Sequence, residues 1–196
     1  MRNLFNGKLI YLAVVCLSAG MALAQQHAPD APHTIGGELD TRLKSAEHEV
    51  LLAAEAMPEG NYNFAPASGN FKGVRTFSEQ LKHLGVYNFR LCSSIRQERA
   101  PVDTTPENGP ESMKSKAEII SYLKEGFAYC HQALNTINEK NAVEVIRHAN
   151  RDATRMSLAA IVVSHPFDHY GQMVVYLRMN GIVPPGTQQR QAAMAK

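Results

Sequence analysis

Cysteine is scarce in this chain. Its 196 residues include only three, Cys16, Cys92 and Cys130. The first falls in a segment expected to be removed, and the remaining two are far too few for a fold stapled together by disulfides. An oxidising compartment would permit one bridge between Cys92 and Cys130. The expectation from composition is instead two buried free thiols, because unpaired cysteine is among the most buried residue types. Clusters of Lys and Arg are missing too, which argues against nucleic acid as a partner, since nothing basic enough is present to track a phosphate backbone. The formal charge is +2, and Arg2 and Lys8 supply it; once the first 24 residues are set aside, the charge is neutral. Beyond that first segment, no apolar run approaches the length needed to span a membrane.

What is present begins with that segment. Arg2 and Lys8 precede "LIYLAVVCLSAGMALA", which closes on Ala22-Leu23-Ala24. This is the pattern of a secretory signal peptide over residues 1–24, with a linker at 25–33. Val15 stands where lipid attachment at Cys16 wants a small residue, so no membrane anchor is expected after processing. The protein is therefore expected to be exported, to the periplasm or beyond. About 170 residues remain, enough for one domain around one core.

Hydrophobic spacing predicts four helices in residues 34–185. Leu39, Leu43, Ala46, Val50, Ala53 and Met57 recur at three and four, and Pro58 and Gly60 end the run. A second helix is expected from about Arg75 to Glu98, with Gly85 interrupting it at some cost. A third starts near Ser115 and carries Ile120, Leu123, Phe127, Cys130, Leu134 and Ile137. The last is capped by Asp152 or Thr154 and stopped by Asn180-Gly181. "PEGNYNFAPASGNFKG" reads as a long loop, and "RAPVDTTPENGPES" as a Pro-rich crossover between helices two and three. "NEKNAVEVIRHANRD" is ambiguous, with a short extended piece around 143–146. The tail, 186–196, is expected to be disordered. The fold class is thus all-α, a four-helix bundle with a long crossover, an architecture that builds metal sites from side chains on facing helices.

Eight histidines are present. His165 and His169, four residues apart on the last helix, stand one turn above the other on one face, a chelating geometry that still lacks a third ligand. His27 and His33 lie in the linker, His48 on a solvated face between Glu47 and Glu49, His148 in the ambiguous stretch, and His131 one step off the apolar stripe of helix three. His83, in "RTFSEQLKHLGVYNF", lies on helix two with Glu79 one turn below as an acceptor able to orient it. The same pair can equally be a histidine satisfied in the core by its own carboxylate.

The pairing of "VRTFSEQLKHLG" with "HPFDHYGQMVVYLRMNGIVPP" resembles the DinB / YfiT-like superfamily, in particular its exported members. "AMPEGNYNF" and "SKAEIISYLKEGF" resemble that family's helix-one end and helix-three start. The resemblance implies a divalent metal held by His83, His165 and His169. It also implies an activity such as thiol-dependent transfer, with a low-molecular-weight thiol or another small molecule as partner. Zinc and nickel both suit imidazole. One departure from the family pattern is Pro166, which directly follows His165 and predicts a kink or restart of the last helix.

Three neutral imidazoles leave a divalent ion an open position for water or a thiolate, the arrangement of a catalytic rather than a closed structural site. "HPFDH" is not the His-Glu-x-x-His of zinc proteases, since Pro166 stands where their glutamate would be. Asp168 points away from His169, while Tyr170 and Gln172 flank the pair and can each donate to a substrate. The loop over 58–74, with Asn61, Tyr62 and Phe64, is the expected wall of a substrate pocket. The expected function is an exported metal-dependent transferase or hydrolase. The alternatives are a bundle that binds a metal without catalysis and a bundle whose histidines are structural. A homodimer is one assembly such bundles adopt.

Overall fold

The structure is a computed structural model that describes residues 33–195. The signal peptide, and all of the linker except His33, lie outside these residues. Each long helix starts where a short polar side chain can take an unpaired backbone N–H. Thr34 accepts from Gly37 N at 3.0 Å and opens α1 (Ile35–Ala56). Thr76 and Glu79 form a reciprocal capping box at the head of α2 (Phe77–Arg96), as do Ser115 and Glu118 at α3 (Lys116–Leu134). Thr154 and Ser157 do the same for α4 (Arg155–Met179).

The four helices enclose one core, with α2 packed against α3 and α4 and α1 against α3 and α4. Fifteen of the 20 residues of α2 are buried, too many for a helix with one covered face. The crossover over 97–115 supplies the extra cover: Lys82 Nζ donates to Pro110 O at 3.2 Å, and Gly109 lies against the Lys82 backbone. Gly85 is required where it stands, because a Cβ there would meet the Tyr122 ring of α3 at 2.5 Å.

Three expectations are corrected. The fold is not purely all-α, because β1 (Val145–His148) and β2 (Arg151–Thr154) form a two-stranded antiparallel sheet, with Ile146 opposite Ala153 and His148 opposite Arg151. The strand signal was weak because Val143 and Val145 point to solvent and only Ile146 and His148 are buried. The supposed disordered tail carries a further helix, α5 (Pro185–Met194), whose Gly186 lies against Glu49 of α1. Pro166 does not restart the last helix, since α4 runs through it as one continuous element. In addition, Cys92 of α2 and Cys130 of α3 are not free thiols but form a disulfide, their Cα atoms 5.2 Å apart. No helix among the described residues is long and apolar enough to cross a membrane.

Candidate metal centre

His83 lies on α2 one turn below Tyr87, and His165 and His169 face it from α4. The three offer one ring nitrogen each, all within 4.8 Å of one another. Their ring centroids are 5.1 Å (His83 to His165), 5.0 Å (His83 to His169) and 4.7 Å (His165 to His169) apart. His83 and His169 are buried, whereas His165 is only partly covered, so the cluster meets solvent on the His165 side.

The hydrogen bonds fix which nitrogens are free. His83 Nδ1 lies 2.8 Å from the Glu107 main-chain carbonyl. A carbonyl only accepts, so Nδ1 carries the proton and the Nε2 lone pair is left open. Gln80 Oε1 holds His169 Nδ1 in the same way at 3.1 Å, and His169 Nε2 then lies 3.0 Å from His165 Nε2. Two nitrogens bound to one tetrahedral ion at about 2.0–2.1 Å are about 3.4 Å apart, so a small side-chain adjustment accommodates an ion between them.

Electrostatics favour the same state. Burial, and after it the neighbouring His83, holds the His165 imidazole down at about 4. Burial, then His165 and His83, holds His169 at about 3. Burial also lowers His83, partly opposed by its bond to the Glu107 carbonyl. Three imidazoles kept neutral and turned toward one point are the donor set that divalent zinc or nickel accepts.

The surrounding residues differ from those expected. Glu79 does not orient His83, because its carboxylate is engaged in the capping box, accepting from Thr76 N at 2.7 Å and Thr76 Oγ1 at 2.9 Å. Tyr170 points to the opposite side, beside Glu49 and Gly186, where burial first and the Glu49 carboxylate second push its hydroxyl up to about 12. Gln172 is exposed and pairs at 3.4 Å with Asp168, itself solvent-facing. The loop over 58–74 is packing material: Tyr62 OH donates to Ala54 O at 2.8 Å, Asn61 Nδ2 to Asn180 Oδ1 at 2.9 Å, and Phe64 meets the Tyr176 ring edge-on.

Three partners went unforeseen. Gln80 and Tyr87 lie three residues before and four after His83, a spacing that marks them as neighbours on its face. The Tyr87 ring is 4.4 Å from that of His83 and 4.9 Å from that of His165. Glu107 could not have been found, because it acts through its backbone. Its side chain meanwhile pairs with Arg75 at 2.9 Å, which holds the crossover against the start of α2.

A sequence model described as the DinB superfamily matches residues 42–173, a span that holds all three histidines. The chain belongs to the DinB superfamily. Solved structures of related shape include a DinB-like protein from Bacillus cereus ATCC 10987, with a TM-score of 0.62 at 16% identity over 78% of this chain and 96% of that one. A DinB-like protein from Bacillus subtilis gives 0.57 at 18% identity, covering 74% and 92%. A conserved protein from Enterococcus faecalis gives 0.61 at 18%, covering 75% and 97%. At such identities the likeness is one of fold. No curated protein matches the sequence.

Proposed function

We propose that this DinB-family protein is an exported enzyme that uses a divalent metal held by His83, His165 and His169, and that its reaction is a thiol-dependent transfer or a hydrolysis. The observation that carries the reading is the convergence of three neutral imidazoles, two with their outer nitrogens already held by the Glu107 carbonyl and Gln80. An ion bound there supplies Lewis acidity toward a thiol, a water or a carbonyl. The chain's own part is to hold the ligand tautomers, to bury two of the three rings and to leave the His165 side accessible. Cys92 and Cys130 are consumed in their bridge and Asp168 faces solvent. No fourth protein ligand is therefore at hand among the described residues, which favours an exchangeable position over a closed structural site.

Export is supported by the Arg2 and Lys8 leader pattern and by the Cys92–Cys130 bridge, since disulfides persist in oxidising compartments. A homodimer is the assembly we expect, and size measurement in solution decides it. The central test is metal content by elemental analysis of the untagged protein beside a His169→Ala variant. We expect about one zinc or nickel ion per chain, and its loss in the variant. Protein that takes up neither ion at micromolar concentration would mean that the histidines are core packing. Stoichiometric metal with no turnover of thiol-transfer or ester substrates would favour the non-catalytic bundle.

A further inference from the structure

A concave site lies farther along α2, beyond the histidine cluster. Arg90, Ser93 and Ser94 form one wall, residues 99–105 of the crossover a second, and His148 with Ala149 of the β-hairpin a third. The cleft measures about 700 Å³, within the range of small-molecule sites, roughly 300–1,000 Å³. Neither the metal ligands nor their outer partners line it.

Its chemistry is cationic with donors. Arg75, Arg96, Arg147 and Arg155 each pair with a carboxylate, whereas Arg90 and Arg99 form no ion pair among the described residues. Arg90 is held in place without being neutralised: it lies over the Tyr87 ring, 4.8 Å from the centroid, and one of its amino groups donates to the Thr104 carbonyl. Such a guanidinium keeps further N–H donors for a planar anion. His148 is 7% exposed, an unusual depth for a histidine at the tip of a hairpin. Its Nδ1 is 2.9 Å from Ser94 Oγ, whose hydroxyl also lies 3.1 Å from the Arg90 carbonyl, and burial, then Arg151 and Arg90, holds it below its ordinary pKa. The one acid in the lining, Asp103, has Oδ1 occupied by the Thr105 N–H and hydroxyl at 2.9 and 2.8 Å. The hairpin takes a strained turn to bring His148 here, since Ala149 sits at φ 51°, in the left-handed region.

We propose that the cleft between α2, the crossover and the β-hairpin binds the oxyanion group, carboxylate or phosphate, of a small molecule through Arg90, Arg99 and the Ser94–His148 pair. The site stands independently of the metal reading. Its position nonetheless bears on that reading, because His83, Tyr87, Arg90 and Ser94 follow one another along one face of α2, with Arg90 seven residues, about 10 Å, beyond His83.

The test is titration of the metal-free protein with inorganic phosphate and with succinate at low ionic strength. Binding is followed by NMR shifts of the His148 ring and of the Ser93 and Ser94 amides, with glycerol as the neutral control. Saturable shifts confined to these groups are expected, with phosphate and succinate distinguished by their relative affinities. Arg99→Gln, an exposed change that leaves folding undisturbed, should weaken binding at least about threefold, and Arg90→Gln at least about tenfold. The His169→Ala variant should bind as the wild type does. No saturable shift with either anion at 20-fold above about 1 mM, or unchanged affinity in Arg99→Gln and Arg90→Gln together, would overturn the proposal. Shifts that vanish in His169→Ala would also overturn it, by placing the anion at the histidine cluster.

Discussion

At the scale of single residues, the histidine cluster is set by groups that touch the rings from outside. Gln80 fixes the His169 tautomer. Gln80→Ala should therefore lower metal affinity about 10–100-fold, measured by competition with a chromogenic chelator. Glu79→Ala should leave metal affinity unchanged and cost about 1 kcal/mol through the lost capping box. If the two effects are reversed, the assignment of Gln80 and Glu79 is wrong. A different histidine governs pH behaviour. His131 Nδ1 lies 2.6 Å from Asp40 Oδ1 and its Nε2 2.9 Å from Glu47 Oε2, so both nitrogens donate to carboxylates and the ring is held as the cation. The bond to Glu47, then that to Asp40, raises its pKa despite burial. A group whose folded pKa is raised stabilises fully below its unfolded value, about 6.5, and that contribution disappears as pH climbs through the folded value. His131→Gln should thus cost about 1–3 kcal/mol at pH 6 and much less at pH 9. Equal urea-midpoint shifts at both pH values would sink this account.

At the scale of elements, the long helices and the long crossover were legible because α1, α3 and α4 each set a buried stripe against an exposed face. Leu43, Ala46, Val50 and Ala53 are all fully buried, as their spacing demands. Other features resisted reading for physical reasons. On α2 the polar Gln80, Lys82, His83 and Asn88 are buried, so polarity there did not mark the surface, and the crossover that covers them is irregular. In the hairpin, β1 alternates exposed and buried residues over only four positions, and β2 does not alternate at all. His165 and His169 of α4 were visible as a pair at i and i+4, whereas Tyr170, next to His169 in sequence, falls on another face, and Gln172 turns to solvent beside Asp168. Pro166 was expected to kink or restart α4, and the helix does not restart there. A proline inside a helix still costs about 3 kcal/mol relative to alanine. Pro166→Ala should therefore raise the thermal midpoint, less whatever packing its buried ring contributes, while leaving one metal per chain. Loss of metal in that variant would mean that the proline positions His165.

At the scale of the whole molecule, α2 is tied to α3 by the Cys92–Cys130 bridge and faces α4 through the histidines. The two cysteines are 38 residues apart, and this pairing could not be read from spacing, because it depends on how two helices lie side by side. Closing a loop of that length restricts the unfolded chain by about 4 kcal/mol. Reduction with dithiothreitol should lower the unfolding free energy by up to that amount, seen as a fall in the urea midpoint that a Cys92→Ala/Cys130→Ala variant no longer shows. The crossover that returns from α2 to α3 has a consequence of another kind. It holds His83 with a main-chain carbonyl, and every amino acid at position 107 has one. Exchange of Glu107 forfeits only its exposed ion pair with Arg75, whereas removing a residue between 104 and 109 displaces the acceptor altogether. Across divergent relatives, this stretch should accordingly be free in its letters and constrained in its length. The site's memory of its own geometry would lie in a spacing that no residue-by-residue comparison records.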